Sequence, residues 1–180
     1  MNIYKNLLLL AVFISPQIKA DFTGPIDLNA EVECLALNIY HEARSERTAG
    51  MWAVADVTIN RVKSIAYPDT VCEVVYQGPV YESWKTARFP ELPEEMRIYN
   101  PVKGQCQFSW WCDGKSDEPL EPDSWQRAKD IAHGVMNHDL GLGLTDGADH
   151  YHADFIEPFW APHMTLVTTI GNHKFYKSNR

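Results

Sequence analysis

Long apolar runs are scarce in this 180-residue chain. Only Leu7 to Ile14 forms one, and eight residues are too few for a permanent membrane-spanning helix. Clustered positive charge is also missing: 16 Lys and Arg stand against 24 Asp and Glu, a formal net charge of −8. Phosphate binding depends on such clusters, so the acidity argues against a nucleic-acid partner. Several catalytic signatures are absent too. There is no G-x-S-x-G for a serine hydrolase. His41-Glu42 opens like a zincin motif, but the position four after His41 is Ser45, so H-E-x-x-H is not completed. The four cysteines have no C-x-x-C spacing of the kind zinc modules favour. Internal repeats and low-complexity tracts are also lacking.

What is present begins with an export signal over residues 1–20. Lys5 supplies its positive start, residues 7–14 its apolar centre, and Pro16 to Ala20 a short tail ending in a small residue. Cleavage after Ala20 is expected, leaving no membrane span and a secreted or periplasmic location; retention of the segment as an uncleaved anchor is the alternative. Removal of Lys5 and Lys19, with no acid lost, takes the net charge to −10. Residues 21–180 then suit one domain. An even cysteine count in an exported chain points to two disulfides, for which three pairings are open. The favoured one is Cys34–Cys72, tying the first helix to the third, with Cys106–Cys112 closing a local loop.

The periodicity predicts a first helix over Asn29 to Ala43, capped by Asp27 or Asn29. A second runs from Ala49 to Ile65 with Met51, Ala55, Thr58, Val62 and Ile65 on one side. A short third covers Thr70 to Tyr76, with Asp69 as its cap. Residues 78–104, broken by four prolines, read as a surface insertion with one helical turn at Pro93 to Tyr99. Gln105 to Trp111 is expected to be extended. A fourth main helix opens at Asp123-Ser124, with Trp125, Ala128, Ala132, Val135 and Met136 inward. Near the end, Thr165 to Ile170 and His173 to Lys177 flank Gly171-Asn172, a hairpin signature. The fold class is α+β, mostly helical, with a small β-hairpin.

One residue stands out chemically. Glu42 follows Leu35 by seven, Asn38 by four and Ile39 by three, so it sits on the edge of the buried stripe. A carboxyl at a helix C-terminus faces the negative pole of the dipole, and burial disfavours its charge. Both favour the protonated acid, as a general acid requires. The rival chemistry is metal-dependent: His150 and His152 would face one side of a strand, and His163 or His173 would join them as ligands of an amidase or peptidase. A non-catalytic binding module is the third possibility.

The segment Ala36-Leu37-Asn38-Ile39-Tyr40-His41-Glu42-Ala43-Arg44 resembles the opening motif of the SleB-type cell-wall hydrolase family, known from spore-cortex-lytic enzymes. Further segments match in the same order. They include Asn60-Arg61-Val62, Tyr67-Pro68-Asp69-Thr70-Val71-Cys72, Cys106-Gln107-Phe108-Ser109-Trp110, Tyr151-His152 and Ile170-Gly171-Asn172-His173-Lys174-Phe175-Tyr176. The resemblance implies a lysozyme-like domain acting on peptidoglycan glycan strands, with Glu42 as catalytic acid and base and no cofactor or metal. It also implies that Gln107, Ser109, Tyr151 and His152 line the glycan groove. Trp110 and Trp111 offer faces for stacking on sugars, although size alone suits at least one of them to the core. A second catalytic carboxylate would come from Glu46, Asp113, Asp149 or Asp154, none of which has a distinctive position. Two departures matter: the 78–104 insertion is long for the family, and the spore enzymes' wall-binding repeats are absent, so spore-cortex specificity is not carried over. A monomer acting in a periplasm, or a phage lysis enzyme exported to reach it, is the expectation.

Overall fold

The structure is a computed structural model and describes residues 26–179. The export signal therefore lies outside the described residues. The first helix, α1, spans Leu28–Ala43, and Asp27 caps it by accepting the Asn29 N–H at 3.0 Å. Leu35, Ala36, Ile39 and Ala43 are fully buried along one stripe. Against this stripe pack α2 (Thr48–Val62), α3 (Val71–Val75) and α5 (Pro122–His138). α1 is thus the central helix of the domain.

Three helix ends differ from the sequence expectation. α2 stops at Val62 instead of Ile65, and Ile65 is fully exposed in the turn that follows, not on the inward face. α3 is capped by Thr70, whose hydroxyl accepts the Glu73 N–H, and not by Asp69. α5 starts one residue early because Pro122, which has no N–H to satisfy, takes its first position. Its buried face holds Ala128, Ile131, Ala132 and Val135, while Trp125 and Met136 flank it half-buried.

The insertion is a small structured unit. β1 (Val80–Glu82) and β2 (Tyr99–Pro101) pair antiparallel around a one-turn helix, α4 (Trp84–Ala87), and a 3-10 turn at Glu94–Met96. The expected helical turn shrinks to those three residues, and the ribbon was missed because each strand is only three residues long. Residues 105–111 are not an extended segment. They curl into a 3-10 turn at Ser109–Cys112, clipped by the Cys106–Cys112 disulfide. The other disulfide is Cys34–Cys72, Cα–Cα 5.2 Å, so the favoured pairing is the one formed.

The second sheet has the order β3-β5-β4, from β3 (His150–Ala153), β4 (Thr165–Ile170) and β5 (His173–Lys177), all antiparallel. The expected hairpin is β4–β5. Gly171 turns it with φ +60°, and Glu46 presses so close to this glycine that a Cβ would collide with its carboxylate. One sheet face, with Tyr151 and its register partner Phe175, lies on Ala53 and Val57 of α2. The opposite face carries His150, His152 and Tyr176, all packed around Trp160. No helix among the described residues is long and apolar enough to cross a membrane.

Candidate active site

The pocket forms where the C-terminal end of α1, the last turn of α2, strand β3 and the 106–109 segment meet. It encloses about 150 Å³ and is lined by Glu42, Arg61, Cys106, Gln107, Phe108, Ser109 and Tyr151. Four residues singled out in the sequence thus come together here: Glu42, Gln107, Ser109 and Tyr151. His152 does not join them. It points from the other face of β3, with one ring nitrogen 2.9 Å from the Ala153 carbonyl and the other 3.0 Å from the Tyr176 hydroxyl. The physical reason is the two-residue period of a strand: if Tyr151 faces the helices, its neighbour faces away.

Glu42 is the penultimate residue of α1, and its carboxyl oxygen accepts the Tyr151 O–H at 3.0 Å. Burial raises the Glu42 pKa above the ordinary carboxylate value. The Tyr151 hydrogen bond and the charge of Arg61 pull in the opposite direction without overcoming it. Burial and the neighbouring Glu42 also push the Tyr151 phenol well above its usual value. Tyr151 therefore remains a neutral donor throughout the range in which Glu42 titrates. A carboxyl whose pKa burial raises, with a donor ready for its ionised state, is suited to give and retake a proton.

The facing wall is built from the core outward. Asn38, one turn before Glu42 and fully buried, accepts the Trp110 indole N–H at 3.1 Å and donates to Thr58 Oγ1 at 3.1 Å. Trp110 also stacks on the His41 ring at 4.5 Å and is only 7% exposed. Trp110 is therefore a core strut and has no free face for a sugar. Its anchoring fixes the segment that presents Gln107 and Ser109. The Gln107 backbone N–H is tied to Gln77 O at 2.9 Å, which leaves its side chain as the polar group at the wall.

Sequence reasoning missed Arg61, which appeared only inside a matched segment. The signal was available: Arg61 follows Val54 by seven, Val57 by four and Thr58 by three, which puts a cation on the apolar stripe of α2. It is 5% exposed, its Nε donates to the Asp149 carbonyl at 2.8 Å, and its guanidinium lies between the rings of Phe108 (4.9 Å) and Tyr67 (5.4 Å).

The candidate second carboxylates are engaged elsewhere. Glu46 accepts the Asn172 backbone and side-chain N–H groups at 3.2 and 3.0 Å. Burial raises the Asp149 pKa, but hydrogen bonds from His150 and Ser178 outweigh it and hold this carboxyl well below the usual range. Asp113 accepts the Lys115 N–H at 2.8 Å, and Asp154 lies exposed past the end of β3. None of the four lines the pocket. The histidines of the metal reading do not converge either. His150 is 2.9 Å from Asp149, His152 is held as above, and His173 packs edge-on to Tyr151. Among the described residues no three His, Cys, Asp or Glu side chains gather as a ligand set.

The described domain is thus helical with a small sheet, and a single glutamate whose pKa burial raises stands at the end of its central helix. The chain belongs to the cell wall hydrolase family, whose model matches residues 45–176. The match begins just beyond Glu42, so the link between the family and that residue rests on the resembling segment and on the pocket. Two solved structures are similar. The catalytic domain of the germination-specific lytic transglycosylase SleB from Bacillus anthracis is 22% identical, with a TM-score of 0.53 over 86% of this chain and 98% of that one. The catalytic domain of the Bacillus cereus SleB protein is 21% identical, with a TM-score of 0.52 over 86% and 99%. At these identities the likeness establishes the shared fold. No curated protein matches the chain.

Proposed function

We propose that this cell wall hydrolase cleaves the β-1,4 bond between N-acetylmuramic acid and N-acetylglucosamine as a lytic transglycosylase, with Glu42 as acid and then base. The observation that carries the reading is the pocket's single carboxyl, its pKa raised by burial and its ionised form given a donor by Tyr151. In the first step Glu42 protonates the glycosidic oxygen while the C–O bond breaks and positive charge develops at the anomeric carbon. In the second, the Glu42 carboxylate takes the proton of the muramic 6-hydroxyl, whose oxygen closes on that carbon. Glu42 is restored, no water is consumed and a 1,6-anhydro end is left. The two-carboxylate hydrolytic scheme needs a second acid flanking the bond, and the pocket presents none. Gln107 and Ser109 supply hydrogen bonds to the sugar held against Glu42. The work is done outside the cytoplasm, in keeping with the export signal and the paired cysteines.

The test is a digest of purified peptidoglycan by the mature protein and by Glu42→Gln, with products read by mass spectrometry. Fragments one water lighter than reducing muropeptides, lost at least ~10²-fold in the variant, are expected. Ordinary reducing ends would replace transglycosylation by hydrolysis, and full activity of Glu42→Gln would end the proposal.

A further inference from the structure

Arg61 holds a charge that its surroundings do not neutralise. Among the described residues it makes no ion pair, and its Nη1 is buried without a hydrogen-bond partner. A guanidinium does not deprotonate in a protein, and an unpaired buried charge is expensive to keep. One carbonyl and two ring faces are its compensation. The acid that shares its pocket is Glu42, whose pKa burial raises. Ionisation of Glu42 places a negative charge in the same pocket as this unpaired cation.

We propose that Arg61 is a positioning residue that stabilises the ionised form of Glu42 between the two proton transfers of the cycle. The inference rests on the glycosidase reading and deepens it. Proton donation to the glycosidic oxygen leaves a carboxylate on Glu42, a form that its partial burial disfavours. Arg61 supplies the opposite charge from α2 while Tyr151 supplies a hydrogen bond from β3. The other pocket groups facing Glu42, Gln107 and Ser109, are neutral, and His41 on its own helix is turned toward the Asp117 carbonyl at 3.0 Å. Arg61 itself moves no proton. Its charge makes Glu42 a better donor in the first step, and burial keeps the carboxylate basic enough to retake a proton in the second. The two rings fix the guanidinium so that this charge does not swing out to solvent.

Two variants separate charge from packing: Arg61→Gln keeps a planar N–H donor and drops the charge, and Arg61→Lys keeps the charge and drops the plane. The Glu42 carboxyl is titrated directly by carbon NMR of labelled mature protein, assigned by the loss of its signal in Glu42→Gln. In Arg61→Gln the midpoint should rise by about one pH unit. The alkaline limb of kcat on peptidoglycan should move with it, kcat falling about 10²-fold with KM unchanged. Arg61→Lys should titrate like the parent. An unmoved midpoint in folded Arg61→Gln, or an equal rise in Arg61→Lys, would overturn the proposal. If Arg61→Gln does not fold, Arg61→Met, which fills the slot between the rings without a charge, decides: a raised midpoint upholds the proposal and an unmoved one sinks it. Because the titration needs no substrate, its failure is distinct from failure of the glycosidase reading, which the Glu42→Gln digest alone decides.

Discussion

Tyr151 shows how one hydroxyl can set the working pH of a site. Its O–H bonds to the charged form of Glu42 more strongly than to the neutral form, so it lowers a pKa that burial raises. Tyr151→Phe removes only that opposing effect, and the Glu42 pKa then rises further. Activity that needs the protonated acid should therefore persist to higher pH, its alkaline limb moving up, while kcat falls by about 10–10²-fold because the carboxylate left by proton transfer is less stable. A pH–rate profile on peptidoglycan checks both signs. The same logic applies to stability. The folded pKa of Glu42 lies above its unfolded value, so its contribution is fully present below pH ~4.3 and lost as pH rises through the folded value. Glu42 was legible in the sequence because its spacing from Leu35, Asn38 and Ile39 placed it at the edge of the stripe. Arg61 was overlooked although the same arithmetic put it on the stripe of α2. A cation there reads as an interruption of the pattern until Glu42 is seen across the pocket.

At the scale of elements, α1 and the 106–112 segment are joined by one buried amide. Asn38→Leu keeps the volume but strands the Trp110 N–H, at a cost of about 1–3 kcal/mol. A lower thermal midpoint should appear together with a higher KM for wall fragments, since the wall bearing Gln107 and Ser109 loses its strut. A change in stability without a change in KM would show that Trp110 merely fills space. Long periodic elements could be read from the sequence: α1, α2, α5 and the β4–β5 hairpin all lie close to where the pattern puts them. The segments that failed are short and are governed by contacts distant in sequence. The 3-10 turn at Ser109–Cys112 is shaped by the disulfide and by Asn38, more than seventy positions away. The β1–β2 ribbon pairs residues 17 to 21 positions apart. His152 was placed in the groove by the resembling segment it shares with Tyr151, and strand alternation separates the two, leaving His152 as a buried histidine.

For the whole molecule, the Cys34–Cys72 bridge joins positions 38 apart and ties α1 to the start of α3. Opening it in a Cys34→Ala, Cys72→Ala variant should cost about 4 kcal/mol by loop entropy. Urea unfolding at neutral pH reads this as a lower midpoint, and an unchanged midpoint would place the stabilisation elsewhere. Both this bridge and the wall opposite Glu42 are held by α1. The helix carries the acid at its end and, one turn earlier, the amide that grips Trp110. The two jaws of the pocket are therefore hung from one rod, which sets the gap between them. Tyr151, which bonds the acid, is seated instead on the sheet, so the proton and the gap are governed by different parts of the fold.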